Sequence, residues 1–206
     1  MSTALKRFSP AEYLALERKS DLKSEFFDGE IFAMGGGSPT HSLIAANFVG
    51  EARQSLNGKP CIVFNSDLRV KVSSTGLYTY PDASIVCGDL KFDDDRRDTV
   101  TNPTVIVEVL SDSTEKYDRG RKSSQYRQIP SVREIILISQ DEAHVERLVR
   151  QPEGGWLLLE TRDLEASFGL SSLNITIAMS ELYRHVTFEA PVPDPLLMDR
   201  REEFES

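Results

Sequence analysis

Two acids carry the chemistry. Glu108 interrupts the run VIVEVL, residues 105–110, which is otherwise apolar on both faces. An ionised carboxylate in a dry core is costly unless it is paired or metal-bound. A lone strand glutamate is more often half of a salt bridge, or faces solvent. Asp82 stands in YPDASIV, directly after Pro81. Proline removes a ladder donor and so marks a strand start or edge; alone, Asp82 would close a turn. Together the two acids read differently. A Pro-Asp entering one strand and a Glu inside a later buried strand can lie side by side. Two close carboxylates repel unless a cation joins them. Oxygen ligands select a hard cation, Mg²⁺ or Mn²⁺, and a two-carboxylate site with open coordination positions suits phosphodiester hydrolysis.

Other polar residues gather around this pair. After Glu108, Asp118, Lys122, Gln125, Tyr126 and Ile129 fall on one helical face by i, i+3, i+4 spacing. A domain helix normally presents an apolar stripe there, so this one either lies on the surface or looks into a polar site. Residues 113–133 carry six Lys or Arg against two acids, which suits a phosphate backbone or a solvated face. His41 sits in the first turn of a helix beside apolar positions, where it is either a hydrogen-bonded core residue or a site-facing group able to touch phosphate. Glu25 and Asp67 are further acids at strand edges.

The elements that must position these residues can be read in order. Ser9-Pro10-Ala11-Glu12 predicts a capped helix start. Residues 25–34 predict a hairpin turning at Asp28-Gly29, followed by a Gly35-Gly36-Gly37 loop. Ser38-Pro39 opens a second helix to about Leu56, with Ile44, Ala45, Phe48, Val49, Ala52 and Leu56 at helical period. Strands are expected at 61–64, 68–72, 83–86, 105–110, 135–138, 144–149 and 156–160. A charged loop is expected at 92–101, one helix at 115–129, and a short closing helix near 179–183. This order predicts a mixed-sheet α/β or α+β domain over 1–188. Residues 189–206 read as an acidic tail able to dock through Leu196, Leu197 and Met198.

Composition narrows the classes. The chain has 206 residues with 24 Lys or Arg against 33 Asp or Glu, a net charge of -9. That excludes a basic DNA-coating protein. The excess is local, however: the tail contributes -4 and residues 89–98 contribute -2. Global acidity therefore does not argue against a nucleic-acid substrate, although it predicts weak binding without metal. No apolar run approaches a membrane span, and the N-terminus lacks signal-peptide features, so a cytoplasmic protein is expected. In that compartment Cys61 and Cys87 are expected as buried free thiols.

The stretches KSEFFDGEIFAMGGGSPTHSLI, FNSDLRVKV, YPDASIV, VEVLSDSTEKYDRGRKSSQYRQIPSVREIILI and WLLLE, in this order, resemble the Uma-two family of restriction-endonuclease-like proteins. The resemblance runs from about residue 8 to 185. It implies the fold of the PD-(D/E)xK nuclease superfamily, a central mixed β-sheet flanked by helices, with a Mg²⁺-dependent hydrolytic site. Asp82 would be the Pro-Asp metal ligand, Glu108 the second, and the Val109 carbonyl would also face the metal. The signature lysine would fall at Leu110. Lys122, on the following helix, matches the family's displaced lysine, and Tyr126 its partner one turn on. Glu25, His41 and Asp67 also match recurring polar positions: Tyr126, His41 and Asp67 would complete the pocket, and Glu25 could bind a second metal or polarise water. Asp67, together with Arg119 and Arg121 of the basic stretch 113–133, is expected to contact substrate. The expectation is an endonuclease acting on nucleic acid, DNA foremost, as a homodimer or higher homo-oligomer, because duplex cutting needs two sites. The competing reading is an inactive binding module on a nuclease fold; a glycosidase using the same carboxylates ranks third.

Overall fold

The computed structural model describes residues 6–111 and 114–188. The tail at 189–206 with Leu196, Leu197 and Met198 lies outside the described residues. Helix α1 (Pro10–Glu17) opens with a full capping box between Ser9 and Glu12. Strands β1 (Ser24–Phe27) and β2 (Glu30–Ala33) form the expected hairpin. Asp28 and Gly29 both have positive φ, 46° and 82°, the pair of left-handed residues that matches the twist of a tight hairpin. Helix α2 (Pro39–Ser55) is capped by the Ser38 hydroxyl.

The remaining strands are β3 (Cys61–Asn65), β4 (Arg69–Val72), β5 (Leu77–Thr79), β6 (Ala83–Cys87), β7 (Thr99–Val100), β8 (Val105–Leu110), β9 (Glu134–Ser139), β10 (Val145–Arg150), β11 (Trp156–Thr161), β12 (Ser167–Leu170) and β13 (Ile175–Ala178). Among the described residues they build a six-stranded mixed sheet, β11-β10-β9-β8-β6-β3, a five-stranded sheet, β2-β1-β5-β4-β7, and the hairpin β12-β13. Within the large sheet β8 and β9 run parallel, and the other pairs are antiparallel.

Alternation along β8 divides the interior. Val105, Val107 and Val109 point toward α2, packing with Ile44, Phe48, Ala52 and Leu56. Ile106 and Leu110 point the other way, toward Val70, Val72 and Leu77 of the small sheet and toward Tyr126 and Ile129. Glu108 belongs to this second set by the two-residue period of a strand. The chain crosses between the sheets from β5 to β6, and Asp82 lies at the crossing.

Four expectations need correction. The single helix expected at 115–129 is instead α3 (Glu115–Tyr117), a π-helical turn over Asp118–Lys122, and α4 (Ser123–Tyr126). The buried polar cluster described below holds Asp118 and Lys122 of the π turn inward. The charged loop at 92–101 contains β7, paired in parallel with β4. Strands β5, β12 and β13 were not expected, because they are three or four residues long and carry little periodicity. Finally, Cys61 and Cys87 are not free thiols but form a disulfide. The antiparallel register of β3 and β6 sets them directly opposite, with Cα atoms 4.0 Å apart, a juxtaposition that their 26-residue separation conceals. A short helix, α5 (Met179–Leu182), closes the described fold. No helix among the described residues is long and apolar enough to cross a membrane.

Candidate active site

Ladder register brings the two strand acids together. Ala83 pairs with Val107 across β6 and β8, so one step further along the antiparallel ladder Asp82 faces Glu108. The Val109 amide donates to Asp82 Oδ2 at 2.7 Å. His41 Nε2 lies 3.1 Å from the same oxygen. The hydrogen bond to Asp82 holds the imidazole above its ordinary pKa, against the opposing effect of burial. Asp82, His41 and Val109 line a cleft of about 490 Å³.

Deeper in, Lys122 is the hub. Its Nζ lies 3.1 Å from Glu25 Oε1, 3.0 Å from Glu108 Oε1 and 3.7 Å from Asp118 Oδ1, all four side chains being buried. Glu25 arrives from the small sheet, Glu108 from the large one, and Asp118 from the preceding turn of the lysine's own helix. Tyr126 donates to Glu108 Oε1 at 2.5 Å, and the Thr79 hydroxyl donates to Glu25 Oε1. Burial pushes the Glu108 carboxyl up to about 8; Lys122 opposes this, and Asp82 and Asp118 reinforce it. Burial likewise raises Asp118, with Lys122 opposing. Burial alone would lower Lys122, but Glu108, Tyr126, Glu25 and Asp118 outweigh it and keep the ammonium protonated.

The π turn accounts for the hub's geometry. In a regular α-helix, positions four apart drift around the axis by about 40° per step. A wider turn advances less per residue and offsets that drift. Asp118, Lys122 and Tyr126, spaced at four, therefore all reach the same buried spot.

The family follows from these residues and their spacing. The Uma2 family model, described as "Putative restriction endonuclease", matches residues 10–180. The chain belongs to the Uma2 family. Two proteins from Synechocystis sp. (strain ATCC 27184 / PCC 6803 / Kazusa) are similar along most of their length. The uncharacterized protein slr1290 is 36% identical over 189 residues, spanning 91% of this chain and 97% of the relative. The uncharacterized protein sll1609 is 34% identical over 170 residues, spanning 82% and 96%. In three dimensions the Uma2 chain resembles the crystal structure of a "putative nuclease belonging to DUF820" from Anabaena variabilis, with TM-score 0.69 and 16% identity over 87% of this chain and 99% of the other. The nuclease-like mixed α+β fold is thereby shown.

Not every anticipated residue joins the cleft of this Uma2 protein. Asp82, Glu108, Val109, Lys122, His41 and Glu25 line it, while Tyr126 stands behind Glu108. Asp67 is on the surface, paired with Lys23 at 2.7 Å, which holds its carboxyl below the usual range. Arg119 pairs with Glu115 at 2.7 Å and with Glu146 on β10. Arg121 stacks on Phe27, 4.7 Å from the ring centre. None of these three lines the cleft.

Three contributors went unread as site residues. Asp118 lies on the mostly polar helix face for which the sequence leaves both solvent and a polar site open; the structure turns it into the site. Thr79 lies on an unanticipated strand. Gly37 looked like ordinary loop; a Cβ there would lie 2.6 Å from His41 Nδ1, so only glycine leaves room for the ring.

The donor set fits a hard divalent cation. The charged residues lining the cleft are Glu25, Asp82, Glu108 and Asp118 against Lys122 and His41. This excess of carboxylate is what a cation would relieve. Asp82 and Glu108, adjacent on neighbouring strands, are the residues placed to hold it.

Proposed function

We propose that the cleft hydrolyses phosphodiester bonds of nucleic acid, DNA foremost, with Mg²⁺ or Mn²⁺ held by Asp82, Glu108 and the Val109 carbonyl. The carrying observation is Lys122 Nζ at 3.0 Å from Glu108 Oε1. The carboxylate–lysine pair that Leu110 breaks in sequence is restored in space from the neighbouring helix. When bound, the metal polarises the scissile phosphate and lowers the pKa of water.

The chain's own groups do the rest. Lys122 carries a fixed positive charge beside the metal-binding acids, where charge builds on phosphate in the transition state. Glu25, steadied by Thr79, and Asp118 hold its ammonium in place. Tyr126 fixes the rotamer of Glu108 through its hydroxyl proton. His41 fixes Asp82 and stands at the cleft mouth, where its imidazolium can face a phosphate oxygen. Two such clefts in a homodimer would cut both strands of a duplex.

The test is purified protein incubated with single- and double-stranded DNA and RNA in Mg²⁺ or Mn²⁺, beside Asp82→Ala and Lys122→Met. Cleavage by the wild type that both variants lose supports the reading. Absence of any cleavage that depends on Asp82, across all four nucleic acids and both metals, overturns it.

A further inference from the structure

A second group of ligating side chains lies away from the cleft. His144, Glu146 and Glu160 each offer one atom, and these atoms all lie within 4.8 Å of one another. Their common direction is built into the sheet. His144 and Glu146 are two residues apart along one strand path, so they share a face. Glu146 stands directly opposite Glu160 in the β10–β11 register. Like charges in that position destabilise a ladder unless something joins them.

The histidine supplies the independent sign of a ligand. Its main chain is fixed by Tyr183, whose hydroxyl accepts from the His144 amide at 3.1 Å and donates to its carbonyl at 2.9 Å. The side chain is 4% exposed. Its Nε2 is buried and has no hydrogen-bond partner among the described residues, and it is aimed at Glu160 Oε1, 3.6 Å away. A buried, unsatisfied imidazole nitrogen in a native fold calls for an explanation. The nearby arginines do not supply one: Arg119 pairs with Glu146, and Arg162 with Glu142 at 3.0 Å and more loosely with Glu160 at 3.9 Å.

We propose that His144, Glu146 and Glu160 form a second cation site, taking a Zn²⁺-class ion, separate from the carboxylate cleft. One imidazole with two carboxylates suits Zn²⁺ in a way that it does not suit Mg²⁺. Occupancy would draw Glu146 away from Arg119, a residue of the π turn that carries Lys122, so the ion would bear on the cleft from behind.

Zn²⁺ titration of the full chain by calorimetry tests this, using the Asp82→Ala, Glu108→Ala background so that the cleft's own strand acids are removed. One Zn²⁺ per chain is expected, weakened more than about tenfold by His144→Ala and equally by Glu160→Gln. The second variant alters an accessible side chain and should fold normally. Mg²⁺ should give no heat at this site, and Co²⁺ should develop visible absorption that Glu160→Gln abolishes. Absence of Zn²⁺ binding in that background, or binding that both variants leave intact, overturns the proposal.

Discussion

The cleft and the cluster around Arg18 use the same residue types to opposite ends. At the periphery, Arg18 reaches Asp94 at 2.6 Å and Asp98 at 2.7 Å, and Arg69 reaches Asp98 at 3.0 Å. Two guanidinium groups meet two carboxylates, and charge closes on itself. Arg69 is additionally held by Thr99 and by Tyr80, whose hydroxyl donates to Glu17. In the cleft one lysine meets three buried carboxylates, with Asp82 close by. A cluster that balances needs nothing further and reads as structure. A buried cluster that does not balance is one that the proposed cation would complete.

The strongest way to break that contrast is Lys122→Met. Removing the hub should lower cleavage about 10²–10³-fold and destabilise the fold by about 3–5 kcal/mol, because the buried acids lose the lysine that pairs with them. Single-turnover rates and urea melts read the two effects separately. Arg69→Met is the structural counterpart: it should cost about 1.5–3 kcal/mol in the same melts while the rate per folded molecule stays unchanged. Equal rate losses in both variants would erase the distinction.

A smaller effect probes geometry without altering charge. Gly37→Ala should displace the His41 ring and lower cleavage about tenfold, about 1.4 kcal/mol in the barrier, with little change in melting. The mildest test is pH. Arg18 lowers both Asp94 and Asp98 from their ordinary 3.8. In that range the unfolded chain binds more protons than the folded one, so this cluster's stabilisation is complete above about pH 4. It is lost as pH falls further toward the folded values. Asp98→Asn should flatten that acid limb in melts followed below pH 4; an unchanged limb would mean that the periphery contributes nothing measurable.

Much of this was legible in the sequence, and the reasons differ by residue. Pro81-Asp82 and the Glu inside VIVEVL are violations of local expectation, a proline at a strand entry and a charge in an apolar run, and such violations concentrate at functional sites. The α2 stripe and the Asp28-Gly29 turn are periodic or conformational signals and needed no tertiary knowledge. Strands β5, β12 and β13, three or four residues long, carry too little period to be seen. Cys61 opposite Cys87, Gly37 against His41 and Thr79 beneath Glu25 are relations across space between segments far apart in the chain. Arg119 and Arg121 were read by charge alone, and charge does not say which way a side chain turns once Glu146 or Phe27 offers a partner.

One consequence of the hub concerns heat rather than chemistry. Lys122 joins Glu25 of the small sheet to Glu108 of the large one, so the reacting groups straddle a seam instead of sitting within one packed layer. Proteins open locally at free energies below that of global unfolding. Slight parting of this seam would separate the acids from the lysine while both hydrogen-bonded ladders survive. The site then acts as a thermal fuse: on warming, cleavage should vanish several degrees before the circular-dichroism signal of the strands, and return on cooling.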